Sequence, residues 1–178
     1  MRVKFGMRIP LTCRFGEDSV ERMIRFLLEW IEENHGDKAP YILDLGTGNG
    51  HLLFSLLEAQ EEELPEGIVD PSKLCGIDYS TASIALSRSI GSKRLNGCEQ
   101  VVFEGADLRD AQQVTHLSSK ANDGLGWDIV CDKGTVCFHC ANDSTMRYDM
   151  ESDVRLRYLL SLSMESSPWS TTLVQFAP

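Results

Sequence analysis

No apolar stretch in this chain approaches the ~20 residues needed to cross a bilayer. The opening run, Met1-Arg-Val-Lys-Phe-Gly-Met-Arg-Ile-Pro10, is basic, without the continuous apolar segment and small-residue cleavage site of a secretory leader. A membrane or secreted protein is therefore not expected, and a cytoplasmic one is. Positive charge is scarce: 17 Lys and Arg stand against 27 Asp and Glu, a formal net charge of −10. Such a field repels phosphate backbones, and the densest basic cluster, Arg88, Lys93 and Arg94, is thin. Nucleic acid is thus not expected as a partner, and a basic protein suits the charge better. Metal-site spacing is missing too. Of the cysteines at 13, 75, 98, 131, 137 and 140, Cys137 and Cys140 stand as C-x-x-C around His139, with no second ligand pair at similar spacing. The thiols read as reduced and mostly buried, with no metal. His35, His51, His116 and His139 have no nucleophile to pair with, and Ser55 and Ser80 lack an elbow motif.

What the chain does contain is alternation. Its 178 residues, 42% hydrophobic and 25% charged, suit one domain with a sizeable core. Residues 1–178 are read as a single unit, with 1–13 irregular. Val20, Met23, Ile24, Leu27, Leu28 and Ile31 follow the helical i, i+3, i+4 spacing after a cap at Asp18 or Ser19, and Asn34 to Asp37 stops the helix. Tyr41–Leu45 predicts a strand. A second helix runs from about Asn49 along Leu52, Leu53, Leu56 and Leu57, and the acidic stretch Glu58–Ser72 reads as a loop. Leu74–Asp78 predicts strand two, followed by a helix from Ser80 to about Leu95. Gln100–Glu104 and Trp127–Cys131 predict strands three and four, with a polar loop between them, and Glu151–Met164 a further helix. Strands separated by helices imply an α/β, doubly wound, mostly parallel Rossmann-like sheet.

Candidate chemistry gathers at the strand ends. Leu43-Asp-Leu-Gly-Thr-Gly-Asn-Gly50 is a strand, a G-x-G-x-G turn and a helix start. Gly46, Gly48 and Gly50, with Thr47 between, let the backbone approach a ligand closely. Dinucleotide enzymes use G-x-G-x-x-G at this place. Here the third glycine comes one residue early, and Asp44 would repel a pyrophosphate but pair with a cationic amino group. A plain tight turn is the alternative. Asp78, before Tyr79, is placed to bind ribose hydroxyls, the alternative being an aspartate that caps the next helix. Asp107, between Ala106 and Leu108, is placed to accept from the exocyclic amine of an adenine, unless it is an ordinary loop residue. Together the three carboxylates match the amine, ribose and adenine of one molecule. At the end of strand four, Asp132 is placed to orient and desolvate an incoming ammonium; its alternative is a surface pair with Lys133.

These pieces resemble class I (seven-strand) S-adenosylmethionine-dependent methyltransferases. More narrowly, Arg14-Phe-Gly-Glu-Asp-Ser19, Leu43 to Gly50, Gly76-Ile-Asp-Tyr-Ser80 and Asp132-Lys-Gly-Thr135 resemble the family that methylates a lysine of translation elongation factor one-alpha. The resemblance spans roughly residues 14–164. It implies S-adenosyl-L-methionine as cofactor, held by Gly46, Gly48, Asp78 and Asp107, with the substrate near Asp132. It implies protein-lysine N-methyltransferase activity on a basic elongation factor; the alternative is a non-catalytic cofactor-binding or scaffolding fragment. The family's upstream cofactor-covering segment is not seen in residues 1–13. Its fifth strand and antiparallel hairpin are not seen after Met164, where Thr171–Phe176 is a substitute strand of undefined register. A domain shortened at both ends, without the last strands, is expected.

Overall fold

The computed structural model describes residues 17–35, 38–63, 67–94, 97–124, 126–133 and 172–175. Within them α1 (Glu17–His35) precedes β1 (Ile42–Leu45), α2 (His51–Glu63), β2 (Leu74–Asp78), α3 (Thr81–Gly91), β3 (Val102–Gly105), α4 (Ala111–Lys120), β4 (Ile129–Asp132) and β5 (Thr172–Gln175). The strands form one sheet in the order β3-β2-β1-β4-β5, every pair parallel. Parallel neighbours require long crossovers, and α2, α3 and α4 supply them between successive strands from β1 to β4. The chain first winds outward from β1 to β3, then returns to the other side of β1 with β4. Beside β1 the strand order therefore reverses, which in such sheets opens a crevice at the carboxyl ends of the strands.

Side-chain alternation divides the core in two. Ile42, Leu74, Phe103, Ile129 and Cys131 face a cluster built with α1, α2 and Ile84 of α3. Leu43, Leu45, Cys75, Ile77 and Val130 face the other way, toward Leu117, Ala121 and Trp127. All six apolar positions read as the inner face of α1 are buried. Cys75, Cys98 and Cys131 are free and buried. Burial pushes the Cys75 thiol up to about 12 and Cys131 well above the ordinary range, so neither ionises near neutrality.

Several expected boundaries move. The acidic segment expected as a loop from Glu58 is helical as far as Glu63. Its Gln60 is buried, and the Gln60 Oε1 accepts from the Val69 N–H at 2.9 Å, so a polar residue is satisfied on the inner side. The loop expected between strands three and four contains α4. Asp110 caps this helix by accepting from the N–H groups of Gln112 and Gln113. Its largely polar sequence hides the helix, whose Leu117 is buried against the second cluster. Helix α3 stops at Gly91 rather than near Leu95. The tail strand gains a register: Thr172–Gln175 lies parallel to β4, with Ile129 opposite Thr172 and Asp132 opposite Gln175. No strand beyond it occurs among the described residues. Residues 1–13, the Cys137–Cys140 pair and the Glu151–Met164 helix lie outside what the structure describes. Helix α1 begins at Glu17, so Asp18 and Ser19, expected as its cap, lie within its first turn instead.

Candidate ligand site at the strand ends

Register brings the predicted residues to one edge of the sheet. Asp44 stands opposite Gly76 and Cys131, and Leu45 opposite Ile77 and Asp132. One strand further out, Asp78 stands opposite Gly105. Gly46, Gly48 and Gly50 all take positive φ, 66°, 59° and 80°. The turn they form is pinned on three sides. The Thr47 N–H donates to the Ile77 carbonyl at 2.9 Å. The Gly48 N–H donates to Asp78 Oδ2 at 3.0 Å, and the Gly48 carbonyl accepts from Ser87 Oγ at 3.3 Å.

Two glycines show why this edge excludes larger residues. A Cβ on Gly76 would fall 2.5 Å from Thr47 Oγ1 and 2.9 Å from a ring carbon of Phe103. The Thr47 side chain thus occupies the space a side chain in β2 would take. A Cβ on Gly48 would meet nothing within 4 Å, at a φ that L residues rarely adopt. This is an open backbone cradle, and an approaching ligand would come against main chain there.

Asp44 lies beneath the cradle, 2% exposed. Burial pushes its carboxyl up to about 7; the nearby Thr47 hydroxyl and Lys133 ammonium oppose this, while Asp132 and Asp78 add to it. The Thr47 hydroxyl is buried and has no hydrogen-bond partner in good geometry, although it lies near enough to favour the charged form of Asp44. A buried carboxyl and a buried hydroxyl with capacity to spare, beside open backbone, suit a polar cationic group such as the amino group of an amino acid.

Asp78 is half-buried and holds the turn to the next helix. Besides the Gly48 bond, its Oδ1 accepts from the Ser80 N–H at 2.8 Å. Ser80 itself caps α3 by accepting from Ser83, so Asp78 is not that cap. Each carboxylate oxygen offers about two acceptor positions, which leaves capacity for ribose hydroxyls. Tyr79 beside it is 66% exposed.

The β3 end differs. The Asp107 carboxylate receives Arg109: Nε at 2.9 Å from Oδ1 and Nη2 at 2.7 Å from Oδ2, with the Arg109 N–H on Oδ1 at 2.9 Å. The Asp107 N–H donates to Gln113 Oε1, and Gln113 Nε2 donates to Asp110. The acceptor positions assigned to an adenine amine are thus engaged by Arg109. Ala106 is buried, its N–H donating to the Asp78 carbonyl, and Leu108 packs at the margin of the second cluster.

Asp132 is wholly buried, so the expected alternative of a surface pair with Lys133 does not describe it. Strand alternation puts it on the Val130 face, opposite to Asp44. Gly76, Ser87 and Arg109 were not foreseen as site residues. For Gly76 a signal existed, since an isolated glycine inside a strand marks close approach.

The chain has informative relatives. A family model described as "Methyltransferase domain" matches residues 37–157. Protein-lysine N-methyltransferase efm4 of Schizosaccharomyces pombe is 39% identical over 126 residues, which is 68% of this chain and 47% of that protein. EEF1A lysine methyltransferase 2 of Homo sapiens is 31% identical over 149 residues, 84% of this chain and 50% of that protein. The chain therefore spans about half the length of the curated relatives it matches. A crystal structure of the glycopeptide N-methyltransferase MtfA complexed with S-adenosyl-L-methionine superposes on 96% of this chain and 59% of its own, with TM-score 0.52 at 16% identity, a likeness of fold.

Proposed function

Because this chain belongs to the methyltransferase domain family, we propose that its strand-end crevice binds S-adenosyl-L-methionine and serves methyl transfer to a lysine side chain. The substrate is a protein, translation elongation factor one-alpha. The relatives named as lysine methyltransferases, two of them quoted above with their identities, support this substrate class. So does the net charge of −10, which favours encounter with a basic partner. A translation factor as substrate carries with it a cytoplasmic location.

The observation that carries the reading is the Gly48 cradle, tied to Asp78 on one side with buried Asp44 below it. When bound, the cofactor supplies a methyl group activated on a sulfonium. The residues supply position and charge. Asp44 takes the amino group, whose positive charge offsets the burial that otherwise holds this carboxyl up to about 7. Asp78 takes ribose hydroxyls while retaining the Gly48 N–H, so binding and turn geometry depend on one carboxylate. Ala106 and Leu108 offer apolar surface to the base. Asp132, buried at the end of β4, offers a negative charge that draws the lysine ammonium out of water and aligns its nitrogen.

Calorimetric titration of the purified protein with S-adenosylmethionine, beside an Asp78→Ala variant, tests the cofactor reading. The parent should bind. The variant should bind more weakly by roughly ten- to a hundredfold, the size of one lost charge-assisted hydrogen bond. A folded parent that binds nothing would overturn the reading. Transfer of labelled methyl groups to purified elongation factor, lost in Asp132→Ala, tests the substrate and the role of Asp132.

A further inference from the structure

Beside these carboxylates the sheet also delivers a cation. Lys133 follows directly on Asp132, which stands opposite Leu45, so Lys133 leaves β4 level with Gly46 at the start of the glycine turn. It is half-buried. Several other basic side chains around the sheet and its crossover helices are engaged. Arg88 donates to the Phe103 carbonyl, Arg109 to Asp107, Lys120 to Glu104, Arg94 to Glu58 and Lys73 to the Ala39 carbonyl. Lys133 makes no ion pair among the described residues. Its charge is nevertheless felt by Asp44. A half-buried cation and a buried carboxyl thus lie at the ends of adjacent strands β4 and β1, where the strand order reverses.

That pairing has a natural complement. An amino-acid head group carries its ammonium and carboxylate on one carbon, so its receptor needs an anion and a cation side by side. Asp44 alone answers half of that demand. Lysine suits the other half because its compact charge on a flexible stem tolerates varied carboxylate geometry. We propose that Lys133 binds the carboxylate of the cofactor's amino-acid end while Asp44 binds its amino group, so that the two residues together select a zwitterionic head group. This assignment rests on the cofactor reading above and extends it to a residue with no role so far. Lys133 is a binding residue in this scheme and takes no part in the transfer step.

The test compares two ligands that differ in one group. S-adenosylmethionine and its decarboxylated form share the sulfonium, ribose and adenine, and only the first has the carboxylate. Calorimetric titration of the parent should show a preference for S-adenosylmethionine of roughly ten- to a hundredfold, as for one charge-assisted contact. Lys133→Ala and Lys133→Gln should remove that preference by weakening S-adenosylmethionine alone, leaving the decarboxylated ligand bound as tightly as before or more so. Lys133→Arg should retain most of the preference. A general structural defect would weaken both ligands together, and circular dichroism checks that each variant is folded. The proposal falls if Lys133→Ala keeps the parent's preference, or if the parent binds both ligands equally. In either case the cofactor reading stands, because binding itself was seen. A folded parent that binds neither ligand overturns both.

Discussion

Two aspartates lie at the same carboxyl edge of the sheet, one near the end of β1 and one just past β3, and the structure treats them in opposite ways. Asp44 is buried under the glycine turn, and its carboxyl is pushed up to about 7. Asp107 is partly exposed, and Arg109 satisfies both of its oxygens. In the sequence they look alike, each a carboxylate beside small and apolar neighbours where a strand meets a loop. Their energetics differ because water reaches one and not the other. An exposed ion pair contributes little to folding, so Asp107 and Arg109 can part with little loss. A carboxyl held in a dry site destabilises the fold whenever it ionises. Retaining Asp44 there makes sense if a ligand supplies the missing positive charge.

The sharpest way to break this comparison is Asp44→Asn, which keeps the shape and removes the charge. Burial pushes the Asp44 carboxyl up to about 7, well above the usual carboxylate range of about 4. Being raised on folding, its contribution to stability is fully present below about pH 4 and is lost as pH rises through 7. At about 1.4 kcal/mol per unit, the order of magnitude at pH 8 is 4 kcal/mol. The variant should therefore match the parent near pH 4 and gain on it steadily up to pH 8 in denaturant unfolding. It should also lose affinity for S-adenosylmethionine. A parent and variant with parallel stability curves would mean that Asp44 is hydrated or paired, and the contrast with Asp107 would vanish. Lys133→Ala sharpens the same point: removing a favourable charge should move the Asp44 titration, followed by carboxyl NMR, further upward.

A smaller effect separates the two regions by packing. Gly76→Ala would drive a methyl group into Thr47 and Phe103 beside the turn, and overpacking of this kind costs about 1–3 kcal/mol. Gly105→Ala, at the β3 end, meets only the Asp78 carbonyl at 3.9 Å. It should be neutral or slightly stabilising, by under about 1 kcal/mol, through the unfolded chain. Thermal melts of the two variants give the comparison directly. Equal losses would show that both strand ends are equally tight.

How far such differences could be read in the sequence depends on what signals each feature leaves. The sheet was legible because Leu43, Leu45, Ile77 and Val130 sit in short apolar runs bounded by turn residues, and parallel strands buried on both faces need such runs. The strand ends were legible because Asp44, Asp78 and Asp132 interrupt those runs where they stop. Helix α4 left little signal, since its capping by Asp110 and its inward-facing Leu117 sit in an otherwise polar stretch that composition reads as loop. The state of each carboxylate was not legible at all. Asp44 is buried opposite Gly76, whose side-chain space Thr47 fills, and capture of Asp107 follows from a turn that brings Arg109 back on it. The first is a matter of tertiary packing and the second of local turn geometry, and residue types at their spacing along the chain encode neither.

The mildest test addresses Arg109. Because the Asp107 pair is exposed, Arg109→Ala should leave the melting temperature of the protein essentially unchanged. Its effect on ligand binding should nevertheless have a definite sign. Arg109 occupies the acceptor positions that an adenine amine would use. Freeing them should tighten S-adenosylmethionine slightly, and added salt should narrow the gap between parent and variant by screening the pair in the parent. A variant that binds more weakly would place Arg109 on the side of the ligand, with Asp107 serving to orient its guanidinium. The two strand ends would then be alike after all, each using an aspartate to hold a cation in place, one from the ligand and one from the chain.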